Sequence, residues 1–355
     1  MRRLLAVASA LAVTALAAAP LAHAEDAAPL TYAVIGDTPY GAPQIDNFPN
    51  DVQEINADPR VRLVVHLGDI KNGSTECSTS YFEQIRSDFD LFKDPLVYTP
   101  GDNEWTDCHR ANNGAYWPAG PVLGGDVRPA RLAEIHRIFF DRPGHTLGDR
   151  SRRVDTQGGN YVENVAWEDS RVQFGTLNVP GSNNDWLPWF GQPRTQSQID
   201  EVTNRTNADL AWLDHIFHEA HKNDARAVAI GIQADMWDPA IEGDPTQYDH
   251  FQPIVQALAA HAQAFDGEVL LLNGDSHAFT DDRPLADPAR PQNKGIYGIQ
   301  DDVPNVHRIT VNGSTTPCHE WLRLHIDPRA NDVFSYQRVL FSKQPGFDHT
   351  VCPES

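Results

Sequence analysis

Four short apolar runs in this chain each break off at the dipeptide Gly-Asp, and that repetition restricts the fold more than any other feature. "LTYAVIGD" (30–37), "RLVVHLGD" (62–69) and "PLVYTPGD" (95–102) follow one another closely, and "VLLLNGD" (269–275) comes much later. Runs this short and this apolar read as strands buried on both faces. Between the first three lie helical stretches: Ile45 to Ala57 with polar interruptions, and 80–92, where Phe82, Ile85, Phe89 and Phe92 share one helical face. Buried strands alternating with helices predict an α/β fold with a largely parallel inner sheet.

In a parallel sheet the C-terminal strand ends emerge on one edge, where α/β folds bind ligands. Asp37, Asp69, Asp102 and Asp275 are therefore expected to converge. Four carboxylates facing one another repel at neutral pH, and burial sharpens the conflict, so they call for cations. Two divalent ions about 3.5–4 Å apart, with one aspartate bridging, would neutralise them and supply the Lewis acidity and activated water of a two-metal hydrolase. One Gly-Asp after a strand is an ordinary turn; four of them, with His277 two residues beyond Asp275, form a ligand pattern. Each glycine is expected to let the backbone turn sharply so that the aspartate points into the cleft.

The rest of the chain fills in around these strands. Residues from about 105 to 160 are rich in Gly, Pro, Asn and Arg, with one helical piece at 129–140, and read as a loop-rich insertion over one end of the sheet. A hairpin is expected at 160–167 and 171–179, an amphipathic helix at 207–222 leading to a strand at 227–232, and a helix at 251–265 leading to the fourth Gly-Asp strand. Segments 306–313, 320–326 and 333–341 read as antiparallel strands that close the fold. Nothing repeats at solenoid length and no low-complexity linker divides the chain, so 25–355 is taken as one domain.

Residues 1–24 read as a cleaved secretory leader: Arg2 and Arg3, an apolar stretch from Leu4 to Ala19, and Ala22-His23-Ala24 at the cleavage site. An alanine-rich leader of this kind suggests a bacterial product, periplasmic or secreted, with no membrane attachment after cleavage. The chain carries 28 Lys and Arg against 49 Asp and Glu, a formal net charge of -21. That balance argues against nucleic acid or an anionic membrane as partner and suits cations. Four cysteines in an exported chain favour two disulfides. Cys77–Cys108 and Cys318–Cys352 are the preferred pairs, because each follows motifs or strands that lie side by side in the expected fold.

The motifs resemble those of the calcineurin-like metallophosphoesterases, which include the purple acid phosphatases. That family's signature runs Asp-x-His, Gly-Asp, Gly-Asn-His-Asp/Glu, a lone His and Gly-His-x-His. The counterparts are "GDTPY" (36–40), "GDIKNG" (68–73), "GDNE" (101–104), "IQAD" (232–235) and "GDSH" (274–277), spread over roughly residues 30 to 345. The resemblance implies a four-layer α-β-β-α sandwich and an exported metal-dependent phosphoesterase acting on a phosphomonoester or phosphodiester. Carried over residue by residue, one metal takes Asp37, Asp69 and His277. The other takes Asp69, Asp102, Asp275 and Gln233, with Asp235 the lesser alternative to Gln233.

This chain departs from the family in one direction. Pro39 replaces the first motif's His, with Tyr40 beside it; Asp102 stands where Asn is expected, Asn103 where the acid-donating His sits, Gln233 in place of the lone His, and Asp275 in place of the last motif's first His. Nitrogen gives way to oxygen, which favours Mn²⁺, Mg²⁺ or Ca²⁺ over zinc. Asn103 can hydrogen-bond but cannot protonate a leaving group. His109 is the alternative donor, against its plainer reading as a surface histidine. A catalytically inactive, metal-stabilised binding protein on the same scaffold is the competing function. His66 reads as a packed core residue, Trp105 and "WLPWF" (186–190) as core or lid packing before pocket lining, and Arg283 as a weak candidate phosphate clamp.

Overall fold

The computed structural model describes residues 28–110, 127–188, 193–241 and 244–345. The first Gly-Asp segments form β1 (Leu30–Ile35), β2 (Val61–His66) and β3 (Leu96–Tyr98), separated by α1 (Gly41–Ala57) and α2 (Thr79–Phe89). Then follow α3 (Val127–Phe139), β4 (Asp155–Gly158), β5 (Tyr161–Asp169), β6 (Val172–Thr176), a five-residue helical turn α4 (Gly181–Asp185) and α5 (Gln196–Lys222). The chain continues through β7 (Ala227–Gly231), α6 (Gln252–Gln263), β8 (Glu268–Asn273), β9 (Thr280–Asp282), β10 (Val306–Thr310), β11 (Glu320–Ile326) and β12 (Phe334–Leu340).

Two sheets form, in the orders β12-β11-β1-β2-β3 and β4-β5-β6-β7-β8-β10-β9. Strand alternation sorts the side chains into three apolar layers. Tyr32, Val34, Leu63 and Val65 of the first sheet meet Phe174, Ala229, Leu270 and Leu272 of the second in the middle layer. Ala33, Ile35 and Val64 face outward onto Phe48, Val52 and Ile55 of α1 and Phe82, Ile85 and Phe89 of α2. Val228, Ile230, Val269 and Leu271 do the same against Leu213, Ile216 and Phe217 of α5 and Ile254, Val255 and Leu258 of α6. The layering is therefore α-β-β-α, and each fully buried aliphatic or Phe side chain contributes roughly 1.5–3 kcal/mol.

Register brings the strand ends level. Ile35 pairs with His66 and His66 with Tyr98 in the first sheet, all parallel. In the second, Gly231 pairs with Leu272 and Thr310 with Asn273, again parallel. The Gly-Asp turns of both sheets thus open on the same edge of the sandwich.

Three expectations are corrected. The inner sheet is two sheets, each mixed, because β1, β2 and β3 bury opposite faces against different layers and the second face needs its own sheet. β10 runs parallel to β8 instead of joining β11 and β12; the excursion through 283–305 is long enough to return the chain to the strand's starting end, which a tight turn cannot do. Helix α5 begins at Gln196, where the Thr195 side chain accepts from Gln198 N–H and caps it, eleven residues before the periodic stretch begins. The short edge strands β4 and β9 also went unforeseen. Cys77 and Cys108 are disulfide-bonded as expected. Cys352 and the leader lie outside the described residues, and among the described residues no helix is long and apolar enough to cross a membrane.

Candidate metal centre

The four strand-end aspartates do converge. One ligand atom each from Asp37, Asp69 and His277 lie within 4.8 Å of one another, and so do atoms from Asp69, Asp102 and Asp275. Asp69 belongs to both groups and sits between them. Asp37 and Asp69 are buried, Asp102 is 6% exposed, and only the last-motif side of the cleft opens outward. Asp37, Asp69, Asp275 and His277 have φ of 51°, 55°, 71° and 64°, the left-handed region that costs a non-glycine residue about 1–2 kcal/mol. Four such residues meeting in one cleft is strain concentrated at a site.

The glycines before the aspartates serve mainly a different purpose from the one expected. Of the four glycines only Gly68 has a positive φ, 87°; Asp37, Asp69 and Asp275 take the left-handed turn themselves, and at Gly101-Asp102 neither residue does. What excludes a side chain is space. A Cβ on Gly101 would lie 2.1 Å from Asp69 Oδ1, one on Gly274 2.3 Å from Asp37 Oδ2, and one on Gly181 2.7 Å from Asp275 Oδ1. Each carboxylate is seated against the backbone of a neighbouring turn. Gly101→Ala is accordingly expected to push Asp69 out of place, costing about 1–3 kcal/mol of stability. Metal titration by calorimetry should then detect loss of both binding steps.

Asp69 is the most heavily held group. Its Oδ2 accepts from Asn103 Nδ2 at 2.6 Å and from the Tyr40 hydroxyl at 3.1 Å, and its Oδ1 accepts from the Asn103 backbone N–H at 3.1 Å. Asn103 therefore positions Asp69. The Tyr40 hydroxyl also lies 3.4 Å from His277 Nε2, beside the first ligand group. His277 Nε2 is 3.5 Å from Asp37 Oδ1, while its Nδ1 is held by the Thr315 hydroxyl. A second ring nitrogen fixed this way is the usual support of a metal-binding histidine.

Gln233 is close but turned. Its carbonyl oxygen accepts from Gly181 N–H, and its amide nitrogen donates to Asp102 Oδ1 at 3.3 Å. Asp102 Oδ2 accepts from Ser182 at 2.8 Å, on the turn α4, whose residues 182–184 are left-handed throughout. Asp235 belongs to neither group: its backbone N–H donates to Asp275 Oδ2 at 3.2 Å, while its carboxylate pairs with buried Arg308 and accepts from Ser276 at 2.7 Å, so it braces the loop between Asp275 and His277. His109 lies on a 3-10 turn at Thr106–His109 with Nδ1–H donated to Thr106 C=O at 2.7 Å, outside both groups. Arg283 donates to Pro304 C=O beside an acidic surface cavity lined by Glu268 and Asp281. Trp105 is fully buried, and Trp186 is stacked on His250.

Two site residues escaped the sequence reading although they lie in the quoted motifs. Glu104, fully buried, accepts from Asp69 N–H, Tyr98 OH and Gly101 N–H at 3.1, 2.8 and 2.7 Å, and so ties two Gly-Asp turns together. Lys71 is also fully buried, donating to Asn72 C=O at 2.9 Å. Its sequence signal was a cation two residues after a ligand, in a chain poor in cations.

Electrostatics confirms that the cluster is uncompensated by protein groups alone. Burial, then Asp102 and the other acids, hold the Asp69 carboxyl well above the usual range; burial and Asp102 do the same to Asp275, and burial foremost to Asp37. Burial holds Lys71 down at about 8. The donor set of carboxylates plus one imidazole, crowded and buried, fits two cations.

His66 behaves as a core residue with a positional task. Its Nδ1 accepts from Gly68 N–H at 3.2 Å and its Nε2–H donates to Thr38 C=O at 2.9 Å, which joins the turns of Asp69 and Asp37. Burial lowers its pKa to about 4. A lowered histidine pKa contributes stability that is complete above the unfolded value near 6.5 and is lost as pH falls towards 4. Denaturant titrations of wild type and His66→Phe side by side should show their stability difference moving against the wild type by up to about 3 kcal/mol as pH falls through that window.

A calcineurin-like phosphoesterase family model matches residues 30–223, ending before Gln233, Asp275 and His277. Among solved structures, the chain is similar to GAP50, the anchor in the inner membrane complex of Plasmodium, at 10% identity over 91% of this chain and 92% of that one, TM-score 0.40. It is also similar to purple acid phosphatase PPD1 from yellow lupin seeds, at 9% identity over 93% of this chain and 57% of that one, TM-score 0.43. No curated protein matches in sequence.

Proposed function

Because the chain belongs to the calcineurin-like phosphoesterase family, whose members bind a dinuclear metal centre, we propose that it is an exported metal-dependent hydrolase of phosphate esters. The observation that carries this reading is the pair of ligand groups sharing Asp69. Bound divalent ions would supply Lewis acidity and lower the pKa of a water. Asp37, Asp69 and His277 would hold one ion, and Asp69, Asp102 and Asp275 the other. Oxygen donors favour Mn²⁺, Mg²⁺ or Ca²⁺ over zinc. Gln233 steers Asp102, and Asn103 with Tyr40 fixes Asp69 against rotation. The disulfide and the leader-like residues 1–24 support export.

Leaving-group protonation is the weakest part of the site. Asn103 has no acidic proton to give, and His109 already donates its Nδ1–H to Thr106. Esters with good leaving groups, whose oxygens need no proton, are therefore the favoured substrates. The same observation favours the second reading, a metal-stabilised binding protein without turnover. Hydrolysis of aryl phosphates after chelation and add-back of Mn²⁺, Mg²⁺, Ca²⁺ or Zn²⁺ separates them. Metal-restored turnover supports the hydrolase, and metal-dependent melting with no turnover supports the binder.

A further inference from the structure

Around the centre the flanking cations are offset by acids other than the ligands themselves. Asp107 pairs with Arg110 at 2.6 Å, and Asp235 with Arg308. Asp282, the other partner of Arg308, has Arg290 at 3.2 Å. Glu104 is the strongest opposite charge acting on Lys71, and both are fully buried. Arg194 lies over the Trp186 ring at 4.2 Å. Segments 111–126, 189–192 and 242–243 contain no Lys, Arg or His. What remains is four carboxylates, Asp37, Asp69, Asp102 and Asp275, against the single imidazole His277. Two dications bring that set to neutrality and leave no surplus positive charge.

We propose that this centre selects singly charged phosphodiesters over doubly charged phosphomonoesters, because its four carboxylates cancel the charge of two dications and the flanking cations are offset by acids other than those four. The inference rests on the phosphoesterase reading and assigns it a substrate class. A monoester carries close to two negative charges above its second pKa near 6, a diester only one. A neutral centre repays the desolvation of one charge far more readily than of two. Asp102 and Asp275 thus act as specificity determinants, each removing a unit of the field that would otherwise hold the second charge.

The test uses the Mn²⁺-loaded full chain, with bound manganese counted first. kcat/KM is compared for bis(4-nitrophenyl) phosphate and 4-nitrophenyl phosphate at pH 8, in the wild type and in Asp102→Asn and Asp275→Asn. Comparing each variant's ratio with the wild type's cancels the intrinsic reactivities, and each variant is expected to shift preference towards the monoester by about tenfold. Calorimetry with methyl phosphate and dimethyl phosphate supplies a readout independent of turnover: the wild type should bind the dimethyl ester more tightly, and Asp102→Asn should narrow or reverse the gap. If no ester is hydrolysed yet this binding pattern holds, the hydrolase reading fails and the charge selection stands. Tighter wild-type binding of methyl phosphate, with two manganese ions present, overturns the proposal. So does a ratio unmoved in variants that retain two ions; if neither variant retains both, the wild-type binding comparison decides.

Discussion

Asp69→Asn is expected to lose both metal-binding steps at once and to lower phosphoesterase turnover by on the order of 10³-fold, since several kcal/mol of Lewis-acid stabilisation are removed and each 1.36 kcal/mol is tenfold. Asp69 is the one residue common to both ligand groups, so replacing any other member of the two groups reaches only one of them. The metal-free variant should at the same time melt higher than metal-free wild type. Removing one of four mutually repelling buried acids relieves the cluster, but the gain is partial. An amide at position 69 must turn its NH₂ towards either Asn103 Nδ2–H and Tyr40 OH or the Asn103 backbone N–H, all of which now donate to the carboxylate. We expect a net gain of about 1–2 kcal/mol, a few degrees in Tm. Calorimetric metal titration and thermal melts after chelation measure both effects. A variant that still binds two ions, or a metal-free variant that melts well below the wild type, would contradict the role given to Asp69.

The second large effect is a coupling of metal to pH. Asp37, Asp69 and Asp275 have folded pKa values raised foremost by burial and then by neighbouring acids, Asp102 chief among them. Raised carboxyl values mean that the folded, metal-free protein binds more protons than the unfolded chain. Their contribution to stability is therefore complete below the ordinary carboxyl value near 3.8 and is lost as pH rises through the folded values. Dications replace those protons. The stability difference between loaded and metal-free protein should thus grow steadily from acid to neutral pH, reaching about 4 kcal/mol at ion concentrations near 1,000 times the dissociation constant. Taking the difference cancels His66, whose contribution runs the opposite way in both forms. Paired melts across pH 4–8 check this, with a difference that shrinks as pH rises counting against it.

The convergence of the four aspartates was legible because strand ends are local: apolar runs that stop at Gly-Asp identify themselves, and parallel pairing supplies the common edge. The structure brings Asp37, Asp69 and His277 together, and Asp69, Asp102 and Asp275, but leaves Gln233 outside both groups. The positioning of Asp69 by Tyr40, Asn103 and Glu104 was not legible, since it joins turns from β1, β2 and β3 whose relative height depends on register. The glycines were recognised and given the wrong main reason. A turn that needs conformational freedom and a turn that needs room for a neighbour's carboxylate look identical in sequence, and Gly101 belongs to the second kind. Gln233 sits at the expected strand end, yet the Gly181 N–H, from a turn far away in sequence, claims its oxygen. The parallel course of β10 depended on where a long excursion returned, which no short window records.

Elemental analysis of protein purified without added metal, joined to Mn²⁺ titration of the chelated form, bears most directly on whether the acid cluster exists to hold dications. Two divalent ions per chain in the wild type, with both lost in Asp69→Asn, is the predicted result. A wild-type protein that holds none, takes up none on titration and melts at the same temperature with and without chelator would contradict it.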